Sequence, residues 1–179
     1  MNQTAALTPD VQDELVRFAQ DLVRIRSLTG QEEEIVRFVA ATMARLGYDD
    51  VTIDGMGNVI GRIGTGGKSV LFDSHVDTVD VTDADRWSQP PFGGDIVDGR
   101  LYGRGSVDMK AAIAASIYAG ALARRSGLAT GKTVYVSCGV MEEDCDGESL
   151  KHLFGELNLR PDYVVICEPS GNQIAAGHK

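Results

Sequence analysis

The chain has little cysteine and no cysteine pattern. Only Cys138, Cys145 and Cys167 occur in 179 residues, and no C-x-x-C pair is among them. That argues against a disulfide framework, a thiolate zinc site and a thioredoxin-type site, and it fits a reducing compartment. Cys138 and Cys167 stand in apolar runs and are expected to be buried thiols. A basic face is also lacking. The net charge of −9 argues against nucleic acid or an anionic membrane surface as a general partner. The most apolar stretch, 111–123, is shorter than a membrane span. The opening Met1-Asn2-Gln3-Thr4 has no basic segment leading into an apolar one, so no signal peptide and a cytoplasmic location are expected. There is no G-x-x-x-x-G-K-[ST] phosphate loop and no G-x-S-x-G nucleophile elbow. Gly55-Met56-Gly57 lacks the third glycine of a dinucleotide loop and leads into a strand. A nucleotide-binding α/β module is disfavoured on these grounds.

What is present is an ordinary globular composition, 43% hydrophobic and 24% charged, in a chain long enough for one domain. Val11, Leu15, Phe18, Leu22 and Ile25 recur at helical spacing and predict a helix over 9–27. Thr29 and Glu32 have the spacing of a capping box, and a second helix is expected to follow as far as Leu46, with Gly47 ending it. Short strands are expected at 51–53 and 58–63, and buried strands at 69–72, 133–140 and 162–167. Asp98-Gly99 reads as the turn of a hairpin over 95–102. Helices are expected over 107–125 and 148–157, and residues 80–94 form a long loop. Helices alternating with apolar strands predict a three-layer α/β/α sandwich on a largely parallel, mixed sheet.

Ligands in such sheets gather beyond the carboxyl ends of the strands. Each buried run ends in groups that can bind metal: Ser74-His75-Val76-Asp77, Met141-Glu142-Glu143-Asp144 and Cys167-Glu168-Pro169. His75 and Asp77, two apart in extended chain, fall on one side. A metal-binding imidazole usually donates its other N–H to a carboxylate, although Asp77 could steady the loop by another route. Asp108, inside Gly103-Arg104-Gly105-Ser106-Val107-Asp108-Met109-Lys110, fits a metal ligand and a first-turn helix aspartate equally. The adjacent Glu142 and Glu143 suit one ligand and one proton shuttle, or a solvated acidic loop. A calcium loop beginning at Glu142 fails, because Leu153 stands where its last glutamate belongs. His152 is expected to be exposed on a short helix.

Together these motifs, from the first helix to the chain end, resemble the zinc metallopeptidase family of acetylornithine deacetylase, succinyl-diaminopimelate desuccinylase, aminoacylase and glutamate carboxypeptidase. The segment Glu142 to Gly147 further resembles a subgroup linked in name to selenium metabolism. The resemblance implies two divalent ions, zinc in the family, with cobalt or manganese compatible with the same donors. It implies that Asp108 and a water bridge them, that His75 and Glu168 hold one, and that Glu143 helps hold the other. Asp77 would orient His75, Glu142 would be the general base, and the Asp108–Met109 bond would be cis. The reaction implied is hydrolysis of an amide bond in a small N-acyl amino acid or peptide. In the family a further histidine ligand follows an inserted lid and dimerisation domain. The chain is therefore expected to be the first part of a catalytic domain, of little activity alone, from a full-length homodimer. The competing expectation is a non-catalytic paralogue of the same fold, disfavoured by the intact acid pair.

Overall fold

The computed structural model describes residues 7–176; Met1 to Thr4 and His178 lie outside the described residues. Four α-helices, α1 (Pro9–Arg24), α2 (Glu33–Arg45), α3 (Ala111–Arg125) and α4 (Glu148–Glu156), surround a five-stranded sheet. Its strands are β1 (Asp50–Ile53), β2 (Val59–Ile63), β3 (Ser69–His75), β6 (Thr133–Gly139) and β7 (Tyr163–Ile166), in the order β1-β2-β6-β3-β7. The strands β4 (Asp95–Val97) and β5 (Arg100–Tyr102) form a separate hairpin. Its turn residues Asp98 and Gly99 both take positive φ, as the two-residue turn demands. Strand β3 is parallel to both β6 and β7, whereas β2 is antiparallel to β1 and to β6. All strands of the sheet but β2 therefore point the same way.

The layers follow from which side chains leave each face of the sheet. Phe18, Leu22, Ile35, Val39, Met43, Ile113 and Ile117 of the first three helices pack with Val59, Ile63, Val136 and Cys138 on one face. On the other, Ile60 and Leu71 meet Leu153 of α4 and Leu159. Close approach of α2 to β2 depends on Gly61, where a Cβ would stand 2.5 Å from Tyr48 Cδ1 and 2.7 Å from Met43 Sδ. Pro9 opens α1, where its missing N–H has no partner to lose.

Four expectations need correction. The run 162–167 is not a buried strand. Tyr163, Val164, Val165 and Ile166 are 61%, 43%, 43% and 61% exposed, because β7 is an edge of the sheet among the described residues and α4 only borders a cavity beside Val164. Cys167, which follows it, is only partly buried for the same reason, while Cys138 is fully buried. Thr29 and Glu32 do not cap α2, since no side-chain hydrogen bond caps its N-terminus. Finally, α3 begins at Ala111 rather than 107, because Asp108 and Met109 depart from helical backbone angles.

Asp162 fastens the start of β7 to β3. It accepts from Lys68 Nζ (2.6 Å), the Ser69 N–H (2.8 Å) and the Ser69 hydroxyl (3.0 Å). The Lys68 contact first, then the Ser69 donors, hold its carboxyl down at about 2. A folded pKa below the unfolded value, roughly 3.9, stabilises fully above that value and ceases to do so as pH falls through about 2. Asp162→Asn should thus melt below wild type at neutral pH. The two melting temperatures should converge as the pH is lowered from about 4 toward 2, which a thermal-melt series will show.

Candidate metal centre

Parallel alignment decides where the polar strand ends go. His75 pairs in register with Gly139, and Asp73 with Ile166. The residues that leave β3, β6 and β7 therefore emerge at the same end of the sheet. The irregular segment Ser106–Lys110, whose Asp108–Met109 peptide is cis, brings Asp108 to the same end.

There His75 is the hub. Its Nε2 lies 3.1 Å from Asp108 Oδ1, 3.5 Å from Glu168 Oε1 and 3.8 Å from Glu142 Oε2. The His75 side chain is only 3% exposed, whereas Asp108 and Glu168 are 52% and 42% exposed, so the cluster opens outward. Two sets of three ligand atoms lie within 4.8 Å of one another: His75 with Asp108 and Glu143, and His75 with Glu142 and Glu168. The adjacent acids Glu142 and Glu143 thus fall in different sets. All the sequence-expected site residues meet here, and His152 does not.

Asp77 works mainly through the second of the two routes open to it. The imidazole Nδ1 is nearer the Asp77 backbone carbonyl (3.0 Å) than its carboxylate (3.5 Å). That contact aims Nε2 at the carboxylates. The carboxylate itself accepts from the backbone N–H groups of Glu142 (3.0 Å) and Glu143 (3.1 Å) and from the Thr29 hydroxyl (2.9 Å). Burial alone would raise the Asp77 pKa; the neighbouring His75 and these donors hold it below the ordinary range.

The other groups are crowded with like charge. Burial lifts Glu142 to about 7; His75 opposes this, while Glu168, Asp146 and Glu143 add to it. Burial also raises Glu168, which Asp108 and Glu143 repel further. For His75, burial depresses the pKa, but Asp77 and the charges of Glu142 and Glu168 outweigh it and lift the imidazole to about 9. One imidazole with its second nitrogen fixed, ringed by four carboxylates that repel each other, is a hard-oxygen and imidazole donor set. It fits divalent zinc, cobalt or manganese.

Sequence reasoning missed the residues that hold this end of the sheet together. Thr29 serves Asp77, and the buried Glu32 accepts the Met141 N–H (3.1 Å) at a residue with φ of +60°. Asn58, 1% exposed, accepts the Val140 N–H (3.0 Å) through Oδ1. The only signal for Asn58 was a polar residue at the head of an apolar strand. A third trio, Asp54, His152 and Glu156, also brings ligand atoms together. Its carboxylates are already engaged. Asp54 accepts from the N–H groups of Met56, Gly57 and Asn58 and from Asn58 Nδ2, and Glu156 from the Gly55 N–H. That trio secures a turn.

The chain is similar to known proteins. The family model described as "Peptidase family M20/M25/M40" matches residues 71–178. A protein of Escherichia coli K12 described as uncharacterized, YgeY, is 36% identical over 170 residues, covering 95% of this chain and 42% of its own length. A succinyl-diaminopimelate desuccinylase of Rhodospirillum centenum is also 36% identical, over 92% of this chain and 46% of its own length. Among solved structures, human carnosine dipeptidase 1 superposes with a TM-score of 0.75 at 25% identity, over 87% of this chain and 38% of that one. The chain thus spans less than half the length of these relatives. A match across most of the chain, on a fold whose strand ends converge as described, makes it a member of the M20/M25/M40 peptidase family.

Proposed function

We propose that these residues supply the metal-binding half of a hydrolase that cleaves an amide bond in a small N-acyl amino acid or peptide. The observation that carries this is the meeting of His75, Asp108, Glu142, Glu143 and Glu168 at one end of the parallel strands. The similarity to a desuccinylase and to a dipeptidase supports the bond type. The share of those relatives that the chain spans supports a longer working protein, a homodimer in our reading, in which other segments complete the site.

His75, Asp108, Glu143 and Glu168 would hold two divalent ions, His75 and Glu168 toward one and Glu143 toward the other. When bound, such ions polarise a substrate carbonyl and make water acidic enough to attack at neutral pH. The chain's own groups do the rest. Asp77 keeps the His75 ring aimed and fixes the backbone of Glu142 and Glu143. Glu142, whose carboxylate lies 3.8 Å from His75 Nε2, accepts the proton of the attacking water and returns it to the leaving amine.

Elemental analysis after exhaustive dialysis should find zinc on the 179-residue chain, and His75→Ala should lose it. Absence of zinc both from this chain and from a longer one that contains the completing segments would overturn the metal reading. In an active protein containing these residues, Glu142→Gln should lower kcat by roughly 10²–10⁴-fold while zinc content is unchanged. Loss of zinc instead would make Glu142 a ligand. Asp77→Asn, which puts an amide donor among backbone N–H groups, should weaken zinc binding by roughly 10–100-fold, as read by competition with a chelating dye.

A further inference from the structure

The side chains on the two sides of Asp108 are held differently. After it, Met109 is fully buried and its Sδ accepts the His75 N–H (3.3 Å), and Lys110 is buried with Nζ donating to the Ile25 carbonyl (2.6 Å). Before it, Val107 is 72% exposed, and the turn behind it is closed by backbone bonds from the Ser106 N–H to the Gly103 carbonyl (3.1 Å) and from the Lys110 N–H to the Gly105 carbonyl (2.8 Å). The next side chain upstream with a firm contact is Arg104. Its guanidinium carbon lies 5.3 Å from the centroid of the Trp87 ring. Its backbone N–H donates to the Pro91 carbonyl (2.6 Å). Its Nε is buried without a hydrogen-bond partner, and among the described residues it joins no ion pair. The guanidinium is held by the Trp87 ring face and by the charge of Asp80, whose carboxyl Arg104 helps to hold below the ordinary range.

Trp87 belongs to the long loop 80–94, whose two ends are fixed independently. At its start, Arg26 pairs with Asp80 (3.0 Å) and lies over Phe92 (5.9 Å). At its end, Gln20 and Arg24 of α1 donate to the carbonyls of Gly94 (2.8 Å) and Gly93 (3.1 Å). The loop leaves the chain just after His75 and Asp77 and returns, through the hairpin, just before Asp108. Its middle thus spans the segments that bear the proposed ligands.

We propose that Trp87 and Arg104 form a clasp that positions Asp108 against His75 for metal binding. Both are positioning residues acting through the Gly103–Val107 segment, and the inference rests on the metal-binding reading above. Lysine cannot replace arginine here, because it lacks the planar, weakly hydrated guanidinium that lies on a ring.

Trp87 is the chain's single tryptophan, so its fluorescence reports the clasp alone. Zinc affinity of the 179-residue chain is measured by dye competition, alongside acrylamide quenching of Trp87 with and without zinc. Arg104→Lys and Trp87→Ala should each weaken zinc binding by about 10–100-fold, and Trp87→Phe should restore most of it. Coupling is reciprocal: zinc should protect Trp87 from quenching in wild type and fail to do so in Arg104→Lys. Wild-type zinc affinity in Arg104→Lys, or equal losses in Trp87→Phe and Trp87→Ala, would overturn the clasp. If Trp87→Ala does not fold, the Arg104→Lys and Trp87→Phe pair decides. No zinc on wild type or on a longer chain containing the completing segments overturns the metal reading with it, whereas zinc on wild type with unaltered variants overturns the clasp alone.

Discussion

A carboxylate with no solvent exposure must be fully compensated or it destabilises the fold, and Asp77 is such a carboxylate. Its compensation comes from three separate stretches of chain. Thr29 reaches it from the loop between α1 and α2, the backbone of Glu142 and Glu143 from the end of β6, and the His75 ring from β3. Satisfying one buried charge therefore fixes the relative placement of the first two helices and two strand ends. The placement of Glu142 and Glu143 beside His75 depends on that arrangement.

The acidic cluster is built against its own electrostatics. Glu142 and Glu168 are raised by burial and by the acids around them, and His75 is lifted by the same charges. Groups chosen for stability alone would not be gathered so closely, because like charges at these separations repel in a medium less polarisable than water. A divalent cation reverses the sign of that interaction, so the arrangement most costly in the bare protein is the one that favours a bound ion most.

The strand-end residues were legible in the sequence because a parallel sheet gathers its ligand-binding groups where the strands end, and an apolar run that stops abruptly at histidine or acid marks such an end. His75, Asp108, Glu142, Glu143 and Glu168 all came from that pattern and from the resemblance it supports. Thr29 and Glu32 were misread, since an i, i+3 spacing is the same whether the pair caps a helix or reaches across the fold. The wholly apolar Tyr163-Val164-Val165-Ile166 reads as buried because local sequence reports what a strand could pack against, not what packs against it. The antiparallel direction of β2 was equally invisible, as a short apolar strand looks alike from either end.

The exposure of β7 has a consequence for the chain in solution. Its outer edge presents an unpaired row of backbone donors and acceptors, flanked on both faces by apolar side chains and without a charged residue inside the strand. The opposite edge, β1, begins with Asp50, which discourages such pairing. A strand like β7 is a template for stacking copies of the chain into intermolecular sheets. The net charge of −9 works against this by mutual repulsion, but only over the distance that salt allows. Ionic strength thereby governs how long the free chain stays dispersed.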